Sequence, residues 1–128
     1  MPFRHELRVR YAEVDVQGHA FNAHYLTYVD EAMDAWMRAT IGEDYYSGGA
    51  VDMVLKRADL TWHAGARFGE ILAIDVEATR WGTTSFDITY RGAVGERPVF
   101  EAVVTYISIE PGTLTPTPVP THVRTTLG

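Results

Sequence analysis

The sequence predicts an α+β fold, in which one long helix packs against a five-stranded antiparallel sheet. Apolar residues recur at helical spacing through one stretch of about twenty residues, whereas five other stretches carry the pattern of strands. The strands after the helix are joined by short turns, which require antiparallel neighbours. A single helix has only this sheet on which to bury its apolar face, so the two must pack together.

The first strand is predicted over residues 6 to 12. Apolar and charged side chains alternate there, with Leu7, Val9 and Tyr11 on one face and Glu6, Arg8 and Arg10 on the other. Such alternation is typical of a strand with one buried face. Residues 13 to 21 follow as a loop.

A helix is predicted from Asn22 to Ile41. Its apolar positions fall at helical spacing, namely Tyr25, Val29, Ala32, Met33, Trp36 and Met37. Asn22 is predicted to cap the helix, because its short side chain can accept from a free backbone N–H group. Gly42 is predicted to end it, as the left-handed residue that commonly follows a helix.

The next segments are predicted as a loop over residues 43 to 51 and a strand over residues 52 to 63. The strand places Val54, Ala58, Leu60 and Trp62 on one face. Two further strands are predicted around residues 72 to 78 and 86 to 90, with Gly82 between them.

The last strand is predicted from Val99 to Ile109. It is apolar on both faces around Val103 and Val104, which indicates a position inside the sheet. The tail from Pro111 is rich in proline and threonine. It is predicted to be extended, with a short helical turn at its end.

Composition narrows the class of protein. The 128 residues, 46% of them hydrophobic, predict a single domain over residues 1–128 with one core. The net charge of −6 argues against a nucleic-acid or membrane-surface binder. The absence of cysteine excludes disulfides, thiolate metal sites and a cysteine nucleophile. No signal peptide or apolar run of membrane length is present, so a cytoplasmic protein is expected.

The loop before the helix carries the residues that point to chemistry, Asp15, Gly18 and His19. A carboxylate that faces a helix N-terminus lies near unpaired N–H donors and partial positive charge. Aspartate is also common in turns, so Asp15 has a purely structural alternative. His19 has two alternatives as well, a hydrogen-bonded turn residue or a residue that orients Asp15.

The run from Tyr11 to Tyr28 resembles the hot-dog-fold acyl-CoA thioesterases of the 4-hydroxybenzoyl-CoA thioesterase type. The matching positions are Asp15, Gly18, His19, Asn22, Tyr25 and Leu26. Phe21 departs from the family, in which many members have asparagine near the expected pocket, and this difference concerns substrate preference. The resemblance implies the hot-dog fold, an acyl-CoA substrate with a small or medium aromatic or fatty acyl group, and no cofactor or metal. It also implies a homodimer or homotetramer with active sites between subunits.

The resemblance also implies roles for individual residues. Asp15 would act as general base or nucleophile with His19 beside it, and the backbone N–H groups near Asn22 and Ala23 would polarise the thioester carbonyl. The predicted substrate-binding residues are Phe21, Tyr25, Arg57, Trp62 and Arg67. Lys56, Arg80 and Arg91 join Arg57 and Arg67 as candidates to hold coenzyme A phosphates, because a polyanion requires local cations in an acidic protein.

Three alternatives remain open. Some hot-dog thioesterases carry the catalytic carboxylate on the helix, where Glu31 and Asp34 lie. The related hydratases and dehydratases have Asp and His five residues apart, whereas Asp15 and His19 are four apart. A non-catalytic acyl-CoA-binding module is expected to lack the loop carboxylate and to carry a partner domain. A metal site at Asp15, His19 and His24 is not expected, because their spacing matches no common zinc pattern.

Overall fold

The fold was obtained as a computed structural model that describes residues 2 to 47 and 52 to 128. Its strands are β1 (Phe3–Arg8), β2 (Met53–Trp62), β3 (Ile71–Trp81), β4 (Ser85–Val94) and β5 (Arg97–Ser108), and its helices are α1 (His24–Thr40) and α2 (Thr121–Leu127). The strands form one antiparallel sheet in the order β1-β3-β4-β5-β2. The predicted α+β architecture, with one long helix against a five-stranded antiparallel sheet, is confirmed.

Helix α1 buries its apolar row in the same core as the inner face of the sheet. The buried helix residues are Tyr25, Tyr28, Val29, Ala32, Met33, Trp36 and Met37. They share one cluster with Leu72, Ile74, Val76, Phe86, Ile88 and Tyr90 of β3 and β4. Burying one large apolar side chain contributes about 1.5–3 kcal/mol, so this cluster fixes the helix on the sheet.

The helix begins two residues later than predicted, and the prediction that Asn22 caps it is wrong. Ala23 occupies the N-cap position in a helical conformation, and no side chain accepts a hydrogen bond there. The N–H groups of His24 and Tyr25 instead donate to the carbonyls of Phe21 and Asn22, at 2.9 and 3.3 Å. Backbone carbonyls of the preceding turn therefore replace the predicted side-chain cap.

Gly42 ends helix α1 as predicted. Its φ of 144° lies in the positive region that favours glycine. Its N–H donates to the carbonyl of Met37 at 3.1 Å, which closes the last turn. The loop predicted for residues 43 to 51 is observed as turns as far as Ser47, and residues 48 to 51 lie outside the described residues.

Two strand predictions need correction. Strand β1 covers Phe3–Arg8 rather than residues 6 to 12, because the chain forms a short 3-10 turn at Tyr11–Glu13. In β2, a bulge between Leu55 and Arg57 shifts the register against β5. Since a bulge reverses which side chains face inward, Leu55 rather than Val54 shares the inner face with Ala58 and the residues beyond it.

The later elements follow the prediction more closely. Strand β5 lies between β4 and β2, so its predicted interior position is confirmed. The tail ends in the short helix α2, also as predicted, and α2 buries Val123 and Leu127. Within the residues that the structure describes, neither helix is long and apolar enough to cross a membrane.

Candidate active site

A cavity of about 300 Å³ lies where the loop before α1 meets the end of β2. Its lining includes the predicted site residues Asp15, His19, Asn22, Tyr25 and Trp62. Ligand sites for small molecules typically start at about this volume. Side chains that the sequence spreads over nearly fifty positions therefore share one pocket at the N-terminal end of the helix.

The loop that carries Asp15 is closed by its own backbone. The N–H of Asp15 donates to the carbonyl of His19 at 2.9 Å, and the N–H of Gly18 donates to the carbonyl of Asp15 at 3.0 Å. Gly18 has a φ of 78°, which residues with a Cβ rarely adopt. Val14 and Ala20 pair as a β-bridge at the base of the loop, so Asp15 lies on a defined turn.

The carboxylate of Asp15 is exposed to solvent, and one of its oxygens takes part in the turn. Oδ1 accepts from the N–H of Gln17 at 2.9 Å, which is the local contact that the structural alternative predicted. Oδ2 has no hydrogen-bond donor within the part of the chain that the structure describes. One oxygen is therefore available to accept a proton or to attack a carbonyl carbon.

The start of helix α1 has two free N–H donors, on Asn22, which lines the same pocket, and on Ala23, which follows it and is not part of the lining. The N–H of Phe21 donates to the carbonyl of Glu13 at 2.8 Å, and those of His24 and Tyr25 are also paired. Between them, the N–H groups of Asn22 and Ala23 have no acceptor among residues 2–47 and 52–128. Unpaired N–H groups at a helix start attract negative charge. They can therefore stabilise charge that develops on a carbonyl oxygen.

Aromatic side chains form one wall of the pocket. The hydroxyl of Tyr25 accepts from the N–H of Ala66 at 3.0 Å, and its ring meets that of Trp62 edge-on, with centroids 5.9 Å apart. Trp62 remains 46% exposed, so much of its indole surface is open. This wall can pack against an apolar acyl group.

His19 lies against a glycine on the opposite segment. A Cβ atom built on Gly65 would be 2.9 Å from Cγ of His19, which is closer than real Cβ contacts. Gly65 also lines the pocket, and the Ala64-Gly65-Ala66 run is the signal by which the sequence could have revealed it. The absence of a side chain at position 65 therefore makes room for the imidazole ring.

Other predicted site residues lie outside the cavity. Phe21 does not line it and packs edge-on against His24, with centroids 6.3 Å apart. Arg57 does not line the cavity either. It precedes Trp62 of the lining by five positions on β2, so the two residues are roughly 16 Å apart along the strand. Arg67 forms an isolated β-bridge with His19, so its backbone lies beside the pocket.

Ion pairs separate the predicted phosphate-binding cations into two groups. The Arg80 guanidinium donates to both oxygens of Asp87, at 2.9 and 3.1 Å. Arg91 lies 2.9 Å from Glu77 and 3.3 Å from Glu101. These carboxylates already neutralise Arg80 and Arg91, which weakens both as ligands for phosphate.

The remaining three cations are less neutralised. Arg57 approaches Asp59 only at 3.8 Å, and both side chains are largely exposed. Lys56 and Arg67 form no ion pair within the described part of the chain. These three are the stronger candidates to bind a polyanion.

The helix carboxylates Glu31 and Asp34 do not line the pocket. Asp34 accepts from Nε of Arg38 at 2.9 Å and from the Tyr45 hydroxyl at 2.8 Å. These hydrogen bonds hold the pKa of Asp34 below its ordinary value. Glu31 borders a separate groove between β1 and α1. Among the described residues, Asp15 is thus the one carboxylate that lines the pocket together with Asn22 of the helix start.

Glu13 is a buried charged residue that sequence reasoning missed. Burial by itself raises the pKa of its carboxyl, but hydrogen bonds from Arg10 and Tyr28 outweigh that effect and lower the pKa below the ordinary value. Nothing in the sequence pattern distinguishes Glu13 from an exposed loop residue.

Among residues 2–47 and 52–128, no three His, Asp or Glu side chains converge as a metal site.

The sequence profile of the thioesterase-like superfamily matches residues 9–127. The chain belongs to the thioesterase-like superfamily. This confirms the family that residues 11 to 28 predicted, and with it the hot-dog arrangement of one central helix on a five-stranded antiparallel sheet. A search of curated proteins finds no match to the chain.

Solved structures share this thioesterase fold along nearly the whole chain. A 1,4-dihydroxy-2-naphthoyl-CoA thioesterase from Synechocystis has a TM-score of 0.86 at 21% identity, over 99% of this chain and 96% of that chain. A thioesterase superfamily protein from Jannaschia has a TM-score of 0.93 at 22% identity, over 98% and 90%. A Thermus thermophilus thioesterase solved with coenzyme A and zinc has a TM-score of 0.84 at 21% identity, over 97% and 90%.

Proposed function

We propose that this superfamily member hydrolyses an acyl-CoA thioester to a free acid and coenzyme A. The observation that carries the proposal is one pocket that combines the Asp15 carboxylate with a helix start at which the N–H groups of Asn22 and Ala23 are unpaired. Thioester hydrolysis requires an activated oxygen nucleophile and stabilisation of the charge on the carbonyl oxygen. The pocket contains groups suited to both requirements.

Two chemical routes are consistent with this pocket. Asp15 either removes a proton from a water molecule that attacks the carbonyl carbon, or attacks that carbon itself to form a mixed anhydride that water then hydrolyses. In both routes the carbon–sulfur bond breaks and coenzyme A leaves. The free N–H groups of Asn22 and Ala23 hold the oxyanion, and loss of one such donor typically costs about a hundredfold or more in rate.

The proposed substrate carries a small or medium acyl group, aromatic or fatty. Tyr25 and Trp62 supply an aromatic wall for it. Phe21, which is 52% exposed and lies outside the cavity, directly precedes Asn22 of the lining and is proposed to contact the substrate there. Lys56, Arg57 and Arg67 are proposed to attract the phosphates. A single pocket of about 300 Å³ suits the thioester end of the substrate, while the nucleotide end lies on the surface.

A non-catalytic acyl-CoA-binding module is the second candidate. The Asp15–Gln17 contact favours it, because this contact gives Asp15 a structural role that needs no chemistry. The hydratase alternative differs in product rather than in pocket, since hydration of an enoyl-CoA leaves the thioester intact.

Release of free thiol from a panel of aromatic and fatty acyl-CoAs separates these functions. We expect thiol release from at least one member of the panel. Saturable binding without release would support the binding module instead. Loss of enoyl absorbance without thiol release would support the hydratase.

Arg67→Gln is expected to raise KM for an acyl-CoA by about tenfold with little change in kcat, the pattern of lost uniform binding. Arg67 is exposed, its backbone pairs with that of His19 in the pocket lining, and its side chain forms no ion pair within the described residues. Steady-state kinetics at low ionic strength provide the measurement, because screening weakens such contacts.

Two controls sharpen this test. Arg80→Gln should leave KM unchanged, because Asp87 already occupies that guanidinium. With an acyl-pantetheine thioester, which lacks the nucleotide phosphates, Arg67→Gln should behave like the wild type. An equal KM effect on both thioesters would exclude phosphate binding by Arg67.

The chain is proposed to form a dimer through the edge of β2, with active sites between the subunits. This edge strand exposes Leu55 and Trp62, at 47% and 46%, and the neighbouring helix exposes Leu26 at 43%. An exposed apolar edge favours pairing with a second sheet. A second pairing of dimers would give the homotetramer.

Leu55→Asp is expected to shift the protein toward a monomer in light scattering and to reduce its activity in parallel. Leu114→Asp, on the exposed tail, is the matched control and should leave the assembly unchanged. A wild-type monomer with full activity at assay concentration would exclude the shared site.

A further inference from the structure

A buried carboxylate two positions before Asp15 anchors the loop of the proposed active site. Glu13 is 5% exposed. Its Oε1 accepts from the N–H of Arg10 at 2.8 Å and from the Tyr28 hydroxyl at 3.0 Å. Its Oε2 accepts from Nε and Nη2 of Arg10 at 2.9 and 2.6 Å. Both oxygens are thus paired, as a buried charge requires, and the donors fix the position of Glu13.

The contact with Tyr28 differs in kind from the contacts with Arg10. Arg10 lies three residues before Glu13, so those bonds close the 3-10 turn on itself. Tyr28 belongs to helix α1, is 2% exposed, and lies fifteen residues after Glu13. The Tyr28 hydroxyl therefore joins the loop to the helix whose N-terminus faces the pocket.

The backbone carries this anchor to Asp15. The carbonyl of Glu13 accepts from the N–H of Phe21 at 2.8 Å, and the Val14–Ala20 bridge follows immediately. These pairs form a short two-stranded segment, and the turn that carries Asp15 projects from it. A misplacement of about 1 Å at a catalytic group can cost about a hundredfold in rate, so the position of this two-stranded segment affects activity.

We propose that Glu13 and Tyr28 are positioning residues, and that their hydrogen bond holds Asp15 at the correct distance from the free N–H groups of the helix start. Neither side chain lines the Asp15 pocket; both border the separate groove between β1 and α1. They act through Asp15 and do not touch the substrate. This inference rests on the proposed function, since it names what aligns the two halves of that site.

Tyr28→Phe tests the hydrogen bond while it preserves the buried ring. Glu13 keeps its three bonds from Arg10, so the carboxylate remains paired. We expect kcat to fall by about tenfold with KM little changed, because alignment rather than binding is lost. We also expect faster backbone hydrogen exchange confined to residues 14 to 21.

Tyr45→Phe is the matched control. The Tyr45 hydroxyl also donates to a carboxylate on helix α1, Asp34, at 2.8 Å, but this bond does not reach the loop. Tyr45→Phe removes the same type of hydrogen bond from a more exposed pair, so its loss of thermal stability should be no larger than that of Tyr28→Phe. Only Tyr28→Phe should change kcat and the exchange of residues 14 to 21.

Each other outcome has a defined meaning. Unchanged exchange in residues 14 to 21, or faster exchange with unchanged kcat, would overturn the positioning role. If the wild type releases no thiol from any thioester, the proposed function fails, and the exchange data alone decide whether Tyr28 holds the loop.

A folding failure is covered by a second variant. If Tyr28→Phe does not fold, the double variant Glu13→Ala/Tyr28→Phe is measured in the same way, because it leaves neither a carboxylate nor a hydroxyl buried without a partner. The double variant should show localised exchange and a loss of kcat at least as large as those expected for Tyr28→Phe, because the bonds from Arg10 are lost as well. If neither variant folds, the contact maintains the whole fold rather than the loop, and the proposal is wrong.

Discussion

Asp15→Asn is expected to lower kcat by roughly two to four orders of magnitude, the usual scale for loss of a catalytic base. The fold should survive, because asparagine retains an oxygen that can accept from the N–H of Gln17, as Oδ1 of Asp15 does at 2.9 Å. The substitution removes the negative charge, and with it both the base and the nucleophile. Steady-state thiol release, circular dichroism and light scattering measure activity, fold and assembly on the same preparation.

The helix carboxylates provide the controls for this experiment. Asp34→Asn should change kcat little, because Asp34 is bound to Arg38 and Tyr45 away from the pocket. Its ion pair with Arg38 is partly exposed, so the cost in unfolding free energy should be about 1 kcal/mol or less. Glu31→Gln should also retain turnover. An inactive Glu31→Gln beside an active Asp15→Asn would move the catalytic role to the helix.

Periodicity predicted the main elements, because burial on one face imposes a repeat that the sequence must carry. The helix at Tyr25 to Met37 and the strands around Ile74 and Ile88 each bury one regular row of side chains. The prediction of which β2 side chains share one face was wrong at Leu55 for a local reason. A bulge adds one residue to a strand without changing its composition, so alternation cannot locate it.

Contacts between distant segments were the harder part of the candidate site. The pattern placed Asp15 and Asn22 near the helix start, but the capping role of Asn22 was wrong because the preceding backbone turn already pairs the first helical N–H groups. The Glu13–Tyr28 bond joins a loop to a helix with no periodic signal. The sequence gives the residue type of a carboxylate but not whether it is buried or exposed, and only the fold distinguishes the two.

Gly65→Ala is expected to reduce kcat by about a hundredfold, the scale of a 1 Å displacement at a catalytic site. The new Cβ would lie 2.9 Å from Cγ and 3.1 Å from Nδ1 of His19, so the imidazole must leave its position. Because Cγ is the base of the ring rather than its flexible end, this movement requires a new side-chain torsion. His19 accepts from Asp15 through its backbone carbonyl, so the strain reaches the loop of the proposed site.

A double-mutant cycle with His19→Ala determines whether the clash is the cause. The φ of Gly65 lies outside the left-handed region, so alanine itself suits that backbone, and the steric conflict is with His19. In the His19→Ala background the ring is absent, and adding Gly65→Ala should then change neither kcat nor Tm. In the wild-type background it should lower Tm as well, since overpacking costs about 1–3 kcal/mol. Equal losses of kcat and Tm in both backgrounds would show that Gly65 acts independently of His19. The effect would then pass through the segment around Gly65, whose carbonyl accepts a hydrogen bond from Arg97 at 3.2 Å.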